Sequence, residues 1–191
     1  MAVGILSFGS LIDEPGQEIG PRVIDRWSVE RTPFKVEFAR ASRTRGGAPT
    51  LVPVRAGGAP LAATILVLDV DEQEARVLLH RREGHREDAP PAPRDGAASW
   101  IGSVEWPGLD ACLYTHLKPN IEPLTAERLA DLAIRSVATP AGEQRADGIS
   151  YLAGALERGV VTPLSAAYEA EILRRTATRT LREAFECTRG P

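Results

Sequence analysis

The sequence has few of the residues that build disulfides, metal centres and basic surfaces. Its two cysteines, Cys112 and Cys187, lie far apart and indicate neither a disulfide framework nor a zinc motif. The three histidines lack the spacing of a metal site, so we expect neither a metal nor a cofactor. Lysine occurs only twice, and the formal net charge is -3. Without a basic field, a nucleic acid is not an expected partner.

Long apolar runs and phosphate-binding motifs are also missing. No stretch of 18 apolar residues occurs, so no membrane span is predicted. The apolar start at residues 3–8 has no basic segment before it and is too short for a signal peptide, so the expected location is the cytoplasm. No GxGxxG or GxxxxGK[ST] motif supports nucleotide binding. Apolar residues still make up 43% of the chain, enough for the core of one domain.

The first two thirds of the chain is rich in predicted strands. A buried strand over residues 3–8 ends at a glycine turn, and residues 34–39 alternate as a strand with one buried face does. Two further strands, joined by a turn, predict a hairpin over residues 50–70. An acidic first turn and an apolar stripe predict a helix over residues 71–80. Strand candidates at residues 100–104 and 110–115 follow.

The last third is helical in pattern. A helix is predicted over residues 126–137, with Thr125 as its cap, and a second over 149–157. A third helix is predicted to open at Pro163 and run to about Phe185. Strands first and helices last is an α+β order. We therefore expect a single domain, with a strand-rich core over about 1–117 and C-terminal helices over about 125–186.

Three short segments contain side chains or backbone groups that could perform chemistry. Phe8, Gly9, Ser10 and Leu11 form a turn after the first strand, where backbone N–H groups can hold a carboxylate or an oxyanion. Arg45 and Gly46 open a glycine-rich loop, in which a guanidinium could pair with a substrate carboxylate. Each segment alone is more often an ordinary turn or a solvated loop.

Glu83 is the third candidate. It lies in the segment over residues 81–85 that closes the predicted helix over 71–80, follows Arg82 and precedes a loop over residues 87–98 that is rich in Pro, Asp and Gly. A carboxylate there could act as a general acid and base, although a glutamate at such a position is usually a surface charge.

The order of these motifs resembles the γ-glutamylcyclotransferase family, and in particular its ChaC-like and AIG2-like branch. That family opens with a strand ending in Tyr-Gly-Ser-Leu, matched here at residues 8–11 with Phe8 in place of Tyr. An Arg-Gly-rich loop and a helix ending in Arg-Glu follow, matched by Arg45 with Gly46 and by Arg82 with Glu83. Residues 118–120 and 147–152 resemble later family motifs, so the likeness covers nearly the whole chain.

The resemblance implies a mixed β-barrel with flanking helices and a helical C-terminal segment. It also implies an enzyme that cyclises a γ-glutamyl amide or peptide to 5-oxoproline and releases an amine, with glutathione as one candidate substrate. Glu83 would be the acid/base, and the turn at Phe8, Gly9, Ser10 and Leu11, with Arg45 and Gly46, would bind substrate.

Three alternatives remain open at this stage. The chain could be a cyclotransferase for other γ-glutamyl amides or a tailoring enzyme that unmasks a γ-glutamyl-protected intermediate. It could also be a non-catalytic relative that binds a small molecule, or an interaction domain whose function lies in the C-terminal helices. The sequence does not define the leaving amine or the oligomeric state.

Overall fold

The computed structural model describes residues 2–12, 14–83 and 99–190. Within them the chain forms seven strands and six helices, an α+β arrangement. The strands are Val3–Ser7 (β1), Val23–Val29 (β2), Lys35–Ser42 (β3), Ala48–Val54 (β4), Ala63–Leu68 (β5), Ser99–Val104 (β6) and Ala111–Leu117 (β7). The helices are Glu72–Arg82 (α1), Ala126–Val137 (α2), Pro140–Glu143 (α3), Gly148–Glu157 (α4), Ser165–Thr176 (α5) and Leu181–Arg189 (α6).

The contacts divide the chain into two compact units, neither of which is a continuous stretch of sequence. The first unit comprises residues 1–33 and 60–118, and the second comprises residues 34–59 and 119–191. The strand-rich region over 1–117 therefore includes two strands, β3 and β4, that group with the C-terminal helices.

The first unit is built on a five-stranded sheet in the order β2-β5-β1-β7-β6. The sheet is mixed, because β1 runs parallel to β7 and antiparallel to β5. It is not closed in the described residues, so the barrel that the resemblance implies is not confirmed. Helix α1 covers one face, where Leu78 and Leu79 pack in the same buried cluster as Val3 and Ile5 of β1. Alternate residues of a strand share a face, which explains why positions 3 and 5 meet the helix.

The second unit joins the β3–β4 hairpin to helices α2–α6. Phe38 of β3 is fully buried and lies edge-on to Tyr151 of α4 and Tyr168 of α5, with ring centroids 6.2 and 5.5 Å away. These aromatic contacts connect the hairpin to the helices. Within the described chain, the longest helices have 12 residues, and none is long and apolar enough to span a bilayer.

Two predicted elements are wrong. The predicted hairpin over residues 50–70 does not form, because β4 pairs with β3 whereas β5 pairs with β1 and β2. The predicted third helix over residues 163–185 is two helices, since Ala177 adopts a left-handed conformation and Thr180 caps a new helix by accepting a hydrogen bond from the Glu183 N–H.

One prediction about burial is also wrong. The alternation over residues 34–39 predicts one buried face, but four consecutive residues of β3, from Val36 to Ala39, are buried. The helix predicted over 126–137 is confirmed at both ends.

Candidate functional site

The turn at residues 8–11 directly follows β1, the central strand of the five-stranded sheet. Strand β1 ends at Ser7, and a short 3-10 turn over Ser10–Ile12 follows, with the Ile12 N–H donating to the Gly9 carbonyl at 3.1 Å. Phe8 and Gly9 are half-buried. Leu11 packs against the buried cluster that includes Leu79 of α1. The turn is thus held against the helix that leads to Glu83.

Glu83 is the residue at which α1 ends. Its N–H donates to the carbonyls of Leu79 at 3.3 Å and His80 at 3.2 Å, so its backbone is fixed by the last helical turn. Its side chain is 18% exposed, and one carboxylate oxygen lies 3.4 Å from the Arg82 guanidinium. The carboxylate is therefore held beside a cation and is still open to solvent.

The direction of α1 brings this helix end and the turn to the same end of the sheet. Leu68, at the end of β5, pairs with Val3 at the start of β1, so α1 begins at the opposite end from the turn. From there the helix runs back along the sheet. Near its last residue, the Arg82 guanidinium donates to the carbonyl of Glu14, three residues after Leu11, at 3.4 Å. The turn and Glu83 therefore lie at the same end of the sheet within the first unit.

A ring pair lies at this same end and was missed in the sequence analysis. Trp100 of β6 is opposite His116 of β7, and the two rings stack with centroids 3.6 Å apart. Since β7 is parallel to β1, the C-terminal ends of both strands, and with them His116, are at the end of the sheet where the turn begins. The available signal in the sequence was Trp100 at the start of the predicted strand 100–104 and His116 directly after the predicted strand 110–115.

Arg45 and Gly46 belong to the second unit, in the turn between β3 and β4. Gly46 has a φ of +63°, and a Cβ there would collide with the side chain of Thr139. The Arg45 guanidinium donates to the carbonyl of Ala146 at 3.2 Å and lies 4.8 Å from the centre of the Tyr151 ring. These contacts stabilise the hairpin turn against the helices. A role for either residue in binding substrate stays a prediction.

The second unit contains a buried carboxylate, Glu37 of β3, which was also missed. Its two oxygens accept hydrogen bonds from the N–H groups of Phe38 at 2.8 Å and Leu164 at 3.2 Å. Desolvation raises the pKa of Glu37, and hydrogen bonds from Thr162, Phe38 and Leu164 oppose that rise. Because Leu164 immediately precedes α5, this carboxylate fixes the start of a helix. In the sequence it occupies a polar position of an alternating strand, which gives no sign of burial.

Cysteine chemistry has little support in the described residues. Cys112 of β7 is fully buried, and desolvation raises the pKa of its thiol to about 11. It is therefore a neutral thiol near pH 7 and not a thiolate nucleophile. Cys187 is exposed on α6. Across residues 2–12, 14–83 and 99–190, no group of three His, Cys, Asp or Glu side chains is arranged to hold a metal ion.

The loop predicted over residues 87–98, together with Gly84 and His85, lies outside the described residues. The candidate site consequently consists of the turn at residues 8–11, Glu83 with Arg82, and the Trp100–His116 ring pair. Neither a scan against protein-family models nor a search of the curated proteins finds a match to this chain.

Proposed function

We propose that this chain is a γ-glutamylcyclotransferase-type enzyme that converts a γ-glutamyl amide or peptide into 5-oxoproline and a free amine. The observation that supports the proposal most directly is the position of Glu83. Its partly exposed carboxylate lies at the same end of the sheet as the turn at Phe8, Gly9, Ser10 and Leu11. The family resemblance assigns these two elements to one reaction.

The chemistry requires no nucleophile from the protein. The α-amine of the substrate attacks its own γ-carbonyl carbon, forming the new C–N bond of a five-membered ring. The bond from that carbon to the departing nitrogen then breaks. The attacking α-amine loses one proton as it becomes the ring N–H, and the departing nitrogen gains one as it becomes a free amine, so the atoms balance without water or an oxidant. Holding the glutamyl chain in its folded shape would supply most of the rate increase.

Glu83 suits the proton transfer in this scheme. A carboxylate takes the proton as the α-amine attacks, and the resulting carboxylic acid returns it to the departing nitrogen. The Arg82 guanidinium, 3.4 Å away, would hold the carboxylate in one orientation.

Backbone N–H groups at the turn could stabilise the negative charge that develops on the substrate's carbonyl oxygen. The negative oxygen of the tetrahedral intermediate needs donors that are already in place. A turn at the end of a buried central strand is rigid, because β1 is hydrogen-bonded on both sides, to β5 and to β7. We assign the N–H groups of residues 9–11 to this role. The mixed sheet also supports a γ-glutamylcyclotransferase-like fold for the first unit.

The test is the release of 5-oxoproline from a panel of γ-glutamyl compounds that includes glutathione, with wild type compared with Glu83→Gln. General acid–base catalysis contributes about a hundredfold or more, so we expect a loss of at least that size in turnover. Glu74→Gln is the matched control, since Glu74 lies near the start of the same helix and forms a surface ion pair with Arg22. The control should keep wild-type turnover.

Binding of the same compounds, measured by calorimetry, separates the alternatives. An enzyme with Glu83 as its acid/base would bind substrate in the Gln variant without turning it over. Turnover by the Gln variant at the wild-type rate would rule out this role for Glu83. Binding without any 5-oxoproline from folded wild type would instead favour the non-catalytic relative.

A further inference from the structure

The sheet of the first unit changes from apolar to hydroxyl side chains at the end where the turn begins. On the face that α1 covers, two successive rows across β5, β1 and β7 consist of buried apolar residues. These rows are Leu68, Val3 and Ala111, and Leu66, Ile5 and Leu113. At the next level on the same face, since alternate residues of a strand share a face, lie Thr64, Ser7 and Thr115. We call these three residues the hydroxyl row.

Two hydroxyl groups of this row have poor hydrogen-bond partners. Thr115 Oγ1 is shielded from solvent, and no residue of the described chain pairs with it. Its cross-strand neighbour on β6, Ile101, is apolar. Ser7 is buried, and its hydroxyl donates to the carbonyl of Ile5 on its own strand at 3.4 Å, which is long for such a bond. A buried hydroxyl without a partner costs free energy, so its presence calls for a group that pairs with it.

The hydroxyl row lies at about the same level along the sheet as Glu83. Ile5 and Leu79 pack in one buried cluster. From there β1 advances about 6–7 Å to Ser7, two residues later, and α1 advances about 6 Å to Glu83, four residues later. Both advances are towards the turn, because α1 runs back along the sheet. Thr115 is level with Ser7, since each is two residues beyond the last paired residues of β1 and β7.

The two hydroxyls suit a carboxylate. Neighbouring strands lie about 4.7–4.9 Å apart, so donors on Ser7 and Thr115 can each reach a different oxygen of one carboxylate. A hydrogen bond to an ionised oxygen is also shorter and stronger than the bond that Ser7 now makes to a carbonyl. Every substrate of the proposed reaction has a carboxylate on the carbon that bears the attacking amine. The leaving amine differs between substrates, so a buried contact suits the constant part.

Given the proposed function, on which this assignment rests, we propose that Ser7 and Thr115 bind the α-carboxylate of the γ-glutamyl group through one hydroxyl each. The α-amine is attached to the same carbon as this carboxylate, so fixing the carboxylate limits where the amine can lie relative to Glu83. The two hydroxyls would make the site specific for γ-glutamyl compounds with a free α-carboxylate, whatever the leaving amine.

The experiment compares γ-glutamylalanine and glutathione with analogues in which the glutamyl α-carboxylate is a carboxamide. Release of the cyclised product gives kcat and KM, and calorimetry with Glu83→Gln gives binding without turnover. We expect each carboxamide to bind about tenfold more weakly than its parent compound, because a hydrogen bond to a charged group is lost at both hydroxyls. Equal binding of the acid and the carboxamide would overturn the proposal.

Variants of the full chain assign the two hydroxyls. Thr115→Val and Ser7→Ala should each raise the KM of the parent compounds about tenfold and affect the carboxamides less. The kcat should stay within about threefold, since the carboxylate keeps its charge throughout the reaction. Thr115→Ser keeps the hydroxyl and should restore the wild-type KM. Equal losses for acid and carboxamide would contradict the assignment.

Ser28→Ala is the matched control. Ser28 of β2 pairs with Thr64, so it lies at the level of the hydroxyl row, but it is exposed on an edge strand three strands away from β7. Its loss should leave KM and kcat at their wild-type values. A rise in KM as large as that of Thr115→Val would mean that the effect is not specific to the two assigned hydroxyls.

Thermal unfolding separates a binding role from a structural one. Thr115→Val should unfold at the wild-type temperature or above, because it removes a buried hydroxyl that has no partner in the described chain. A lower unfolding temperature with equal losses for acid and carboxamide would give Thr115 a structural role instead.

The outcomes also separate this site from the proposed reaction. Carboxylate-dependent binding without any 5-oxoproline release would remove the reaction and leave the site. Release that neither Thr115→Val nor Ser7→Ala affects would remove the site and leave the reaction. Neither binding nor release by folded wild type would overturn both.

Discussion

The two units place a glutamate in opposite circumstances. Glu83 in the first unit lies at a helix end, is partly exposed and, within the described residues, forms an ion pair with Arg82. Glu37 in the second unit is fully buried, and both its oxygens accept backbone hydrogen bonds. A carboxylate whose acceptors are all in use contributes to stability, whereas one with open acceptors and access to solvent can take part in a reaction. Burial and hydrogen bonding therefore indicate a structural role for Glu37, whereas Glu83 keeps the exposure that its proposed acid/base role requires.

The largest expected effect is the loss of stability when Glu37 is replaced. Glu37→Ala would leave the N–H groups of Phe38 and Leu164 buried without acceptors, which costs about 1–3 kcal/mol for each group. We expect a loss of about 3 kcal/mol or more in the free energy of unfolding, measured in urea. Glu83→Ala is the companion variant and should lie within about 0.5 kcal/mol of wild type. Similar losses for the two variants would mean that Glu83 is structural too.

Helix caps extend the comparison to a second pair of residues. Asp147 caps α4 while fully buried, and it accepts hydrogen bonds from the N–H groups of Ile149 and Ser150. Asp71 caps α1 from an exposed position and accepts one, from Glu74. We expect Asp147→Ala to cost about 2 kcal/mol and Asp71→Ala about 1 kcal/mol or less, by urea unfolding. A larger cost at Asp71 would reverse the ranking.

The smallest expected effect is a pH dependence of stability due to Glu37. Desolvation raises its native pKa above the unfolded value of 4.5, so the folded state keeps the proton to a higher pH than the unfolded state does. Protonated Glu37 thus favours folding, and that contribution is lost as pH rises through the native pKa. Subtracting the unfolding free energy of Glu37→Gln from that of wild type, from pH 4 upward, should give a difference that falls with pH. A difference that rises with pH would contradict the assigned direction.

The sequence predicts elements best where the signal is local. Thr125 and the apolar stripe after it predict both ends of α2 correctly, because a helix cap and a helical period are patterns of residues close together in the sequence. The break between α5 and α6 had a local signal as well. Thr180 followed three residues later by Glu183 is typical of a helix start, although the sequence analysis predicts one long helix there.

Strand pairing and burial could not be read in this way. Residues 48–54 and 63–68 are neighbours in sequence and look like a hairpin, yet each pairs with strands elsewhere in the chain. Glu37 has the alternating pattern of a solvent-facing residue, yet it is buried and accepts a hydrogen bond from Leu164, which is far away in the sequence. In the candidate site, Glu83 and the turn at residues 8–11 came from the order of motifs, whereas the Trp100–His116 stack depends on a register that only the sheet provides.

Each unit is made of two separate segments of the chain, and this has a consequence for synthesis on the ribosome. The β3–β4 hairpin has left the ribosome well before the helices it packs with, because residues 60–118 are made in between. Until the residues from 119 onward emerge, the hairpin lacks the helices that contact its buried positions, Glu37 and Phe38 among them. It stays without those helices for the time needed to make about sixty residues, several seconds at usual translation rates. A chain truncated after Lys118 would retain every strand of the five-stranded sheet while leaving that hairpin permanently without the helices that bury it.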